Sequence, residues 1–512
     1  MKMSLSSVEM EWSFLVFSST IFLPMLFFIF YKRRPNYSRL PPGPPGWPLF
    51  GHIFQLGTAP HRTIAGLKQK YGPVVWLKIG SVNTMVIQSA DVANEFFKNH
   101  DLSFINRNIT DILRSKNYHK GSLALAPYGV YWRVMRRLCT VEMFVNKRIN
   151  ETESLRRKCT DNMLLWIEKE ANSVEGRRNG IQVARYVFLA SFNMIGNLML
   201  SKDLVDPESK EASEFFDAMK RIMEWGGRPN ISDLFSWLRW LDLQGLRRKM
   251  DRDLGKAMDI ATKFVKERIE ERLAGGPTRK DFLDVLLDFE GSKNEPAKLS
   301  ELEINTFILE MFLAGSETSS TSIEWALAEL LRNPKAMVRV KNEISSVVES
   351  NRKFEESDIG KLPYLQAVIK ETLRLHPPVP FLVPRKAIQD TNYMGYLIPK
   401  ETQVFVNVWA IGRDEENWEE PWDFKPERFL GSNTDFKGQH FEFIPFGAGR
   451  RICPGLPLGH LMMHFLLGSL LHEFNWELDF SKNPNTIDMN ELIGTVVRKQ
   501  EPLKVVPTKR VS

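Results

Sequence analysis

Apolar residues recur every three to four positions along much of the second half of the chain. This period places them on one face of an α-helix, and it predicts helices over residues 281–289, 301–331, 334–349 and 362–375. Strand signals are fewer. Residues 74–79 and 84–87 flank Gly80 and predict a small β-hairpin. No segment near the middle has the composition of a linker, so the pattern favours one large, mainly α domain with small β-sheets.

The N-terminal pattern is different, because residues 12–31 contain no charged side chain and are rich in Phe, Leu and Ile. About twenty apolar residues are needed to cross the ~30 Å hydrocarbon core of a bilayer as a helix. Glu9 and Glu11 precede this run and residues 32–34 are basic, so the positive-inside rule places the rest of the chain in the cytosol. A cleaved signal peptide is the alternative, but its basic residues would come first. We therefore expect an uncleaved signal anchor over residues 1–34.

Residues 41–46 read Pro-Pro-Gly-Pro-Pro-Gly. Proline fixes φ and cannot donate a backbone hydrogen bond, so this segment predicts a stiff, extended spacer and not a packed element. The spacer is expected over residues 35–48, and the folded domain over residues 49–512.

Composition and charge narrow the class of protein. Hydrophobic residues make up 43% and charged residues 26% of 512 residues, which is enough for a large core. The net charge of +7 is scattered, which argues against a nucleic-acid partner and leaves open a basic face for an acidic protein or anionic lipid. Three unrelated cysteines, Cys139, Cys159 and Cys453, exclude a disulfide framework and a Cys-x-x-Cys metal site, and this favours a reducing compartment.

Cys453 has unusual neighbours. Glycines at 447, 449 and 455 allow tight turns and the close approach of a large flat ligand. The apolar run 456–471 predicts a helix, so Cys453 lies just before a helix N-terminus, where backbone N–H groups and the helix dipole lower a thiol pKa. A thiolate there can bind iron or act as a nucleophile, and an inert buried cysteine is the alternative.

The five residues Phe446, Gly449, Arg451, Cys453 and Gly455 match the F-x-x-G-x-R-x-C-x-G loop of the cytochrome P450 superfamily, which the chain therefore resembles. The resemblance implies the cytochrome P450 fold, mainly α with small β-sheets and preceded by a single N-terminal transmembrane helix. It also implies haem b with the Cys453 thiolate as axial ligand, which favours O–O cleavage, and Arg451 paired with a haem propionate.

Two further segments match structural landmarks of this family. Glu371 and Arg374 form its E-x-x-R motif and share one face of a helix. Arg428 lies in Pro-Glu-Arg-Phe, and the resemblance implies that it joins them in a buried triad that supports the core. A pair with this spacing on a surface helix would be common by chance and would contribute little.

Further propionate partners are implied in two places. Trp132 and Arg136 match the family's W-x-x-x-R helix, and their spacing puts them on one helix face. Arg385 follows Val-Pro at the position of another partner in the family. Taken alone, the helix around Arg136 would more often be a basic surface helix.

Residues 314–319, Ala-Gly-Ser-Glu-Thr-Ser, match A-G-x-[DE]-T-[ST] inside a long apolar helix. Gly315 is expected to let the helix loosen and leave room for O₂. Glu317 and Thr318 supply an acid and a hydroxyl, which suit the delivery of protons during oxygen activation. In the alternative interpretation, the Thr318 hydroxyl only bonds back to the carbonyl four residues earlier.

The resemblance implies a monooxygenase that hydroxylates or oxidises a lipophilic small molecule with O₂. Electrons would come from NADPH through NADPH–cytochrome P450 reductase, with cytochrome b5 as a second donor, on a single-pass protein of the endoplasmic reticulum membrane whose catalytic domain faces the cytosol. Residues 228–233 and 240–245 resemble geraniol hydroxylases and iridoid oxidases, which points to a monoterpenoid or another plant secondary metabolite. The pocket is expected from residues 104–125, 307–314, 379–383 and 492–496.

Two surfaces and two rival functions complete the expectations. A reductase-docking face is expected to include Arg133, Arg136, Arg137, Lys147 and Arg148, and a merely solvated face explains these residues equally well. Phe235, Trp237, Trp240 and Leu241 form either an apolar roof that touches the membrane or ordinary core. The rivals are a haem-thiolate enzyme that rearranges peroxides without O₂, which needs no Glu-Thr relay, and a non-catalytic membrane-anchored haem or steroid carrier.

Overall fold

The computed structural model describes residues 39–206, 210–478 and 486–510. The predicted anchor helix over residues 12–31 therefore lies outside the described residues. Among the described residues, the one helix long and apolar enough to cross a membrane spans Val183–Leu200, and 83% of it is buried inside the protein, as in the core of a soluble domain.

Helices dominate the described residues, as predicted. The longer ones are α1 (Ala90–Asn99), α2 (Val130–Leu138), α3 (Glu153–Asn172), α4 (Val183–Leu200), α5 (Lys210–Gly227), α6 (Leu246–Leu273), α7 (Glu301–Arg332), α8 (Pro334–Val347), α9 (Pro363–Leu375) and α10 (Leu456–Glu473). The helix predicted over residues 281–289 is a short one, Phe282–Leu287. Further short helices span Pro60–Ala65, Lys68–Tyr71, Tyr118–Gly121, Asn146–Glu151, Val174–Asn179, Ile231–Leu234 and Val408–Ile411.

Helix α7 forms the centre of the molecule. It begins with a capping box, in which the Ser300 side chain accepts from the Glu303 N–H and the Glu303 carboxylate accepts from the Ser300 N–H. It is followed at once by α8, whose first residue is Pro334. Most of its residues between Ile304 and Leu331 are buried, because α4, α6, α9 and α10 pack around it.

The strands are short and form four small sheets among the described residues. They are β1 (Val74–Ile79), β2 (Val82–Ile87), β3 (Asn106–Arg107), β4 (Ile181–Gln182), β5 (Arg385–Lys386), β6 (Thr391–Tyr393), β7 (Tyr396–Ile398), β8 (Gln403–Val406), β9 (Phe474–Leu478), β10 (Glu491–Leu492), β11 (Arg498–Lys499) and β12 (Lys504–Lys509). The predicted hairpin is confirmed as β1 and β2, which begin the sheet β1-β2-β8-β5-β3. At its far edge the antiparallel register places Arg107 opposite Arg385.

The proline-rich segment is extended, but the prediction that it is not packed is wrong. The carbonyl of Pro42 accepts a 2.8 Å hydrogen bond from the Trp76 N–H on β1. A Cβ on Gly43 would come within 2.0 Å of the Trp76 carbonyl oxygen, so only glycine permits this approach. The folded domain therefore starts before residue 49.

Candidate active site

A cavity of about 270 Å³ lies between α7 and the loop of residues 445–455. We call that loop the proximal wall, since it carries Cys453. The distal wall is formed by the residues of α7 that face the cavity, which are Glu310, Met311, Ala314, Thr318, Ser319 and Ser322. The sides come from α2 and from residues 378–385, so the predicted haem-loop, oxygen-side and propionate residues surround one space.

Cys453 occupies the predicted place, three residues before α10 begins at Leu456. Its backbone N–H donates to the Phe446 carbonyl at 3.0 Å, and its sulfur accepts from the Gly455 and Leu456 N–H groups. Burial raises the pKa of the Cys453 thiol, while these N–H groups and the charge of Arg136 lower it. The helix terminus therefore acts on the thiol pKa in the predicted direction, and desolvation opposes it.

Four guanidinium groups line the cavity: those of Arg107, Arg136, Arg385 and Arg451. Together with Trp132 they form what we call the cradle. Three of the four arginines were predicted from motifs, and Arg107 was not. Arg107 lies within the predicted pocket segment 104–125, and the signal that identifies it is its cross-strand pairing with Arg385.

Backbone carbonyls fix the cradle in place. Arg451 donates to the carbonyls of Ile105 (3.2 Å), Leu123 (3.3 Å) and Ala126 (2.7 Å). Its guanidinium lies 4.4 Å from the centre of the Trp132 ring. The Trp132 indole N–H also donates to the Leu123 carbonyl, at 3.0 Å.

Of the other cradle arginines, two are held by backbone carbonyls and one by a carboxylate. Arg107 donates to the carbonyls of Ala124 and Val383 at 3.0 and 2.5 Å. Arg136 donates to the Ile452 carbonyl at 2.6 Å, so its side chain points toward the proximal wall and not into a docking face. Arg385 is paired with the Asp101 carboxylate at 2.6 Å.

The electrostatics of the cradle favour an anionic ligand. Burial lowers the pKa values of Arg107, Arg385 and Arg451, and repulsion between guanidinium groups lowers those of Arg107 and Arg451 further. A buried cluster of cations is costly unless anions match it. Planar guanidinium groups suit carboxylates, so the cradle fits the two propionates of haem b, with the Cys453 sulfur placed to bind its iron.

The sequence also did not identify Glu310. Its buried carboxylate accepts from the Ser122 hydroxyl and from the N–H groups of Leu123 and Ala124 at 2.6 and 3.2 Å. Burial raises its pKa, and these donors oppose that shift. Glu310 therefore fastens the distal wall to the loop whose carbonyls hold Arg107, Trp132 and Arg451.

Thr318 faces the cavity, whereas Glu317 does not belong to its lining. The Thr318 hydroxyl donates to the Ala314 carbonyl at 2.7 Å, which is the bond of the alternative interpretation. The Glu317 carboxylate lies 3.5 Å from the Arg498 guanidinium on β11. Burial raises the pKa of Glu317, and the charges of Arg498 and Lys220 oppose that rise.

Gly315 does not have the predicted role. Helix α7 runs unbroken through this residue, so the helix does not loosen there. A Cβ at Gly315 would lie 2.5 Å from Cδ1 of Ile195 on α4. The missing side chain therefore allows α4 and α7 to pack closely, and Ala314 and Thr318 are the residues next to the open space.

The structure brings the three residues of the predicted triad together. Two nitrogens of Arg374 donate to Glu371 at 2.7 Å each, and Nε of Arg428 donates to Glu371 at 3.0 Å. The side chains of Glu371 and Arg374 are completely buried. Arg374 also donates to the carbonyls of Gly412 and Pro421 at 2.6 Å each. The triad therefore ties α9 to the chain that leads into the proximal wall.

Three of the four predicted pocket segments contribute to the cavity, and the segment of residues 492–496 does not. It packs instead on the end of α5, where the Thr495 hydroxyl donates to the Met223 carbonyl at 3.0 Å. Of the predicted roof, Phe235 is buried, while Trp237 and Trp240 are 62% and 81% exposed.

Comparison with known proteins agrees with this site. The family profile described as Cytochrome P450 matches residues 41–507. The chain is 62% identical to Cytochrome P450 76A2 of Solanum melongena, over 98% of this chain and all of that protein. It is 53% identical to iridoid oxidase and 41% identical to geraniol 8-hydroxylase, both of Catharanthus roseus, over 95% and 96% of this chain and 96% and 99% of those proteins. A zebrafish cytochrome P450 solved with progesterone superposes with a TM-score of 0.73 at 26% identity, over 88% of this chain and 99% of that one.

Proposed function

Because the chain belongs to the cytochrome P450 family and is a monooxygenase, we propose that it oxidises a lipophilic plant metabolite of the monoterpenoid class. The oxidant is O₂, and NADPH supplies the electrons through NADPH–cytochrome P450 reductase. The observation that carries this proposal is the single cavity in which Cys453 and the cradle lie on one side and Thr318 on the other.

Haem, when bound, supplies the activation of O₂ and the oxidation of the substrate. In our proposal Cys453 binds its iron, and Arg107, Arg136, Arg385 and Arg451 hold its carboxylates. Thr318 Oγ1 accepts and passes on a proton. Its bond to the Ala314 carbonyl uses only the hydroxyl hydrogen, so the oxygen keeps lone pairs that face the cavity.

Glu317 is the proposed proton source for Thr318. Burial raises its pKa, which favours the protonated form that a proton source needs. Because its carboxylate points toward Arg498, the side chain must change rotamer to reach the cavity. The relay therefore works as an alternation between two orientations of Glu317.

The walls away from the cradle support the proposed substrate class. Met311, Ala314, Val379, Leu382 and Val383 present apolar side chains to the cavity. Such a lining suits a compact hydrocarbon skeleton. Iridoid oxidase and geraniol 8-hydroxylase, to which the chain is similar, are named for terpenoid substrates.

The test is turnover by microsomes that contain the full chain and the reductase. A panel of monoterpenoids is first screened for the shift of the haem to high spin, and each positive compound is then incubated with and without NADPH. We expect an oxygenated product only with NADPH and O₂. Turnover of a hydroperoxide without either would instead indicate the peroxide-rearranging enzyme. Binding without turnover under any condition would indicate the carrier.

We further propose that the domain lies on the cytosolic face of the endoplasmic reticulum membrane, anchored by residues 1–34. The support is an exposed apolar patch, defined as Trp47, Phe50, Phe54, Trp237, Trp240 and Leu243. Its two segments are joined where the Phe50 and Phe235 rings lie 5.9 Å apart and Ser81 binds the Leu234 carbonyl. Large exposed apolar patches mark interaction surfaces.

A fluorescent label distinguishes this orientation. Trp240→Cys, labelled with a polarity-sensitive dye in the full chain in vesicles, should be quenched by lipid-borne quenchers. Val174→Cys is the matched control, because Val174 is 87% exposed but lies outside the patch. Equal quenching at both positions would contradict the proposal.

The proposed reductase-docking face is the outward side of α2. Arg133 and Arg137 are exposed there, while Arg136 on the same helix points toward the Cys453 loop. Arg133→Glu should lower NADPH-supported turnover and leave turnover with hydrogen peroxide as oxygen donor unchanged. Loss of both activities would mean that the variant disturbs the site itself. If cytochrome b5 docks on the same face, it should no longer stimulate turnover by this variant.

A further inference from the structure

Asp101 is a buried carboxylate to which neither the motifs nor the proposed mechanism assigns a role. It lies two residues after the end of α1 and is 3% exposed. Burial of an ionised carboxylate is costly unless strong donors surround it. Its partners therefore indicate what it is for.

Those partners lie on two distant parts of the chain that meet at the haem site. Oδ1 accepts from Arg385 Nη1 at 2.6 Å, on β5. Oδ2 accepts from the backbone N–H and from Nη1 of Arg450, both at 3.2 Å, on the proximal wall. The same carboxylate thus holds a cradle arginine with one oxygen and the Cys453 loop with the other.

The proximal wall is shaped to admit this carboxylate. Gly449 has φ +69°, and a Cβ there would lie 2.5 Å from Asp101 Oδ1. A side chain at residue 449 would therefore displace Asp101 as well as strain the backbone. Arg385 reaches the same turn from the other side, since it donates to the Ala448 carbonyl at 3.2 Å. Asp101 and Arg385 together clamp residues 448–450, immediately before Cys453.

Asp101 also acts on the charge of the cradle. Its negative charge opposes the lowering of the pKa values of Arg107, Arg385 and Arg451 that burial causes. The carboxylate therefore offsets part of the positive charge that the haem propionates would otherwise meet alone. Asp101 therefore contributes in two separable ways: it holds the Cys453 loop in place, and it reduces the net positive charge of the cradle.

We propose that Asp101 is a positioning residue that clamps the Cys453 loop to Arg385 and sets the net charge around the haem carboxylates. This inference rests on the proposed function, because it presupposes haem bound between the cradle and Cys453. Partners that orient the direct ligands of a metal centre typically contribute about 10- to 100-fold to affinity or activity.

The experiment compares Asp101→Asn with Asp91→Asn in the full chain. Asp91 is an exposed carboxylate in the first turn of α1, so its variant is the matched control. Asparagine keeps the shape of the side chain and removes its charge. The measurements are the rate of haem transfer to apomyoglobin, the thiolate fraction of the reduced carbonyl complex, and the haem reduction potential.

We expect Asp101→Asn to lose haem about 10- to 100-fold faster and to lose part of the thiolate signature. Its reduction potential should rise, because removal of a nearby negative charge favours the electron-rich ferrous state. A merely structural role would not move the potential in the molecules that keep the thiolate. In Asp101→Asn/Arg385→Gln, haem loss should be faster still because a cradle arginine is also gone, but the potential should lie below that of Asp101→Asn, since a positive charge has been removed as well.

Each remaining outcome decides the matter. If Asp101→Asn matches Asp91→Asn in haem loss and in potential, the proposal is overturned. If Asp101→Asn does not fold but the double variant does, an unpaired buried Arg385 is the cause and the pairing is supported. If the unaltered chain itself binds no haem, the proposed function fails, and this outcome is distinct from a failure of the Asp101 inference.

Discussion

The proximal and distal walls face each other across one cavity but are stabilised by different forces. On the proximal side, the buried Asp101 carboxylate is paired with the buried Arg385 at 2.6 Å and with the half-exposed Arg450 at 3.2 Å. Beyond Glu310, the distal wall consists of small hydroxyl and apolar side chains on one long helix. We therefore expect the proximal side to tolerate little change, since its buried charged groups depend on a paired carboxylate or on backbone carbonyls. The distal wall can change shape at low cost, and substrate choice can vary there.

The largest effect is expected for Cys453→Ala, on the proximal wall. We expect the thiolate signature of the reduced carbonyl complex and all NADPH-supported turnover to disappear, because no other cysteine among the described residues lines the cavity. Cys159→Ala is the control, as Cys159 is buried away from the cavity and burial raises its pKa to about 12. An intact signature in Cys453→Ala would disprove the assignment of the ligand.

The next largest effect is expected for Glu371→Gln, in the triad. It leaves Arg374 and Arg428 buried without their shared carboxylate, which we expect to destabilise the fold by about 3–5 kcal/mol. Glu427→Gln is the control in the same region, because Glu427 is half exposed and its pair with Arg339 lies at the surface. That pair is worth about 0–1 kcal/mol. Thermal unfolding of both variants checks the difference, and equal losses would contradict a structural triad.

Thr318→Ala tests whether the distal wall contains one chemically essential hydroxyl. If Thr318 passes protons, coupled product formation should fall about 100-fold while NADPH consumption continues. Thr318→Ser keeps the hydroxyl and should retain most of the product. Unchanged coupling in Thr318→Ala would mean that the hydroxyl serves only its bond to the Ala314 carbonyl.

The smallest effect is expected for Met311→Leu on the distal wall. The swap nearly conserves volume, so the stability should change by less than about 1.5 kcal/mol. Met311 lines the cavity, however, so the ratio of oxidation products should change. Product analysis by mass spectrometry measures this ratio. A large loss of stability would show that the distal wall is as demanding as the proximal one.

What could be predicted from the sequence depends on whether the residues concerned are close together or far apart along the chain. Helix α7, the β1–β2 hairpin, the triad and the place of Cys453 follow from local periodicity and short motifs, and the structure agrees with them. Asp101 binds Arg450, 349 residues further along the chain, and nothing in the local sequence marks that contact.

Errors arose where a local pattern had two physical explanations. The glycine at 315 was predicted to leave room for O₂. In the structure, it is the close approach of Ile195 on α4 that leaves no space for a side chain there. The thiol of Cys453 does lie at a helix N-terminus, but the pattern cannot show the desolvation that opposes the effect of the helix on its pKa. Arg107 and Glu310 were within predicted pocket segments, and only the tertiary structure shows that these two charged residues face the cavity.

The hydrogen bond between Pro42 and Trp76 limits how far the folded domain could move from a membrane anchor. With Pro42 held on β1, only residues 32–41 separate the predicted anchor from the folded domain. Ten residues, fully extended, span at most about 36 Å. If residues 12–31 span the membrane as we propose, such a tether would keep the exposed Trp47 and Phe54 within reach of the headgroups. An enzyme held so close would draw its substrate from the lipid phase, so the partition coefficient of the terpenoid, more than its aqueous concentration, would govern occupancy.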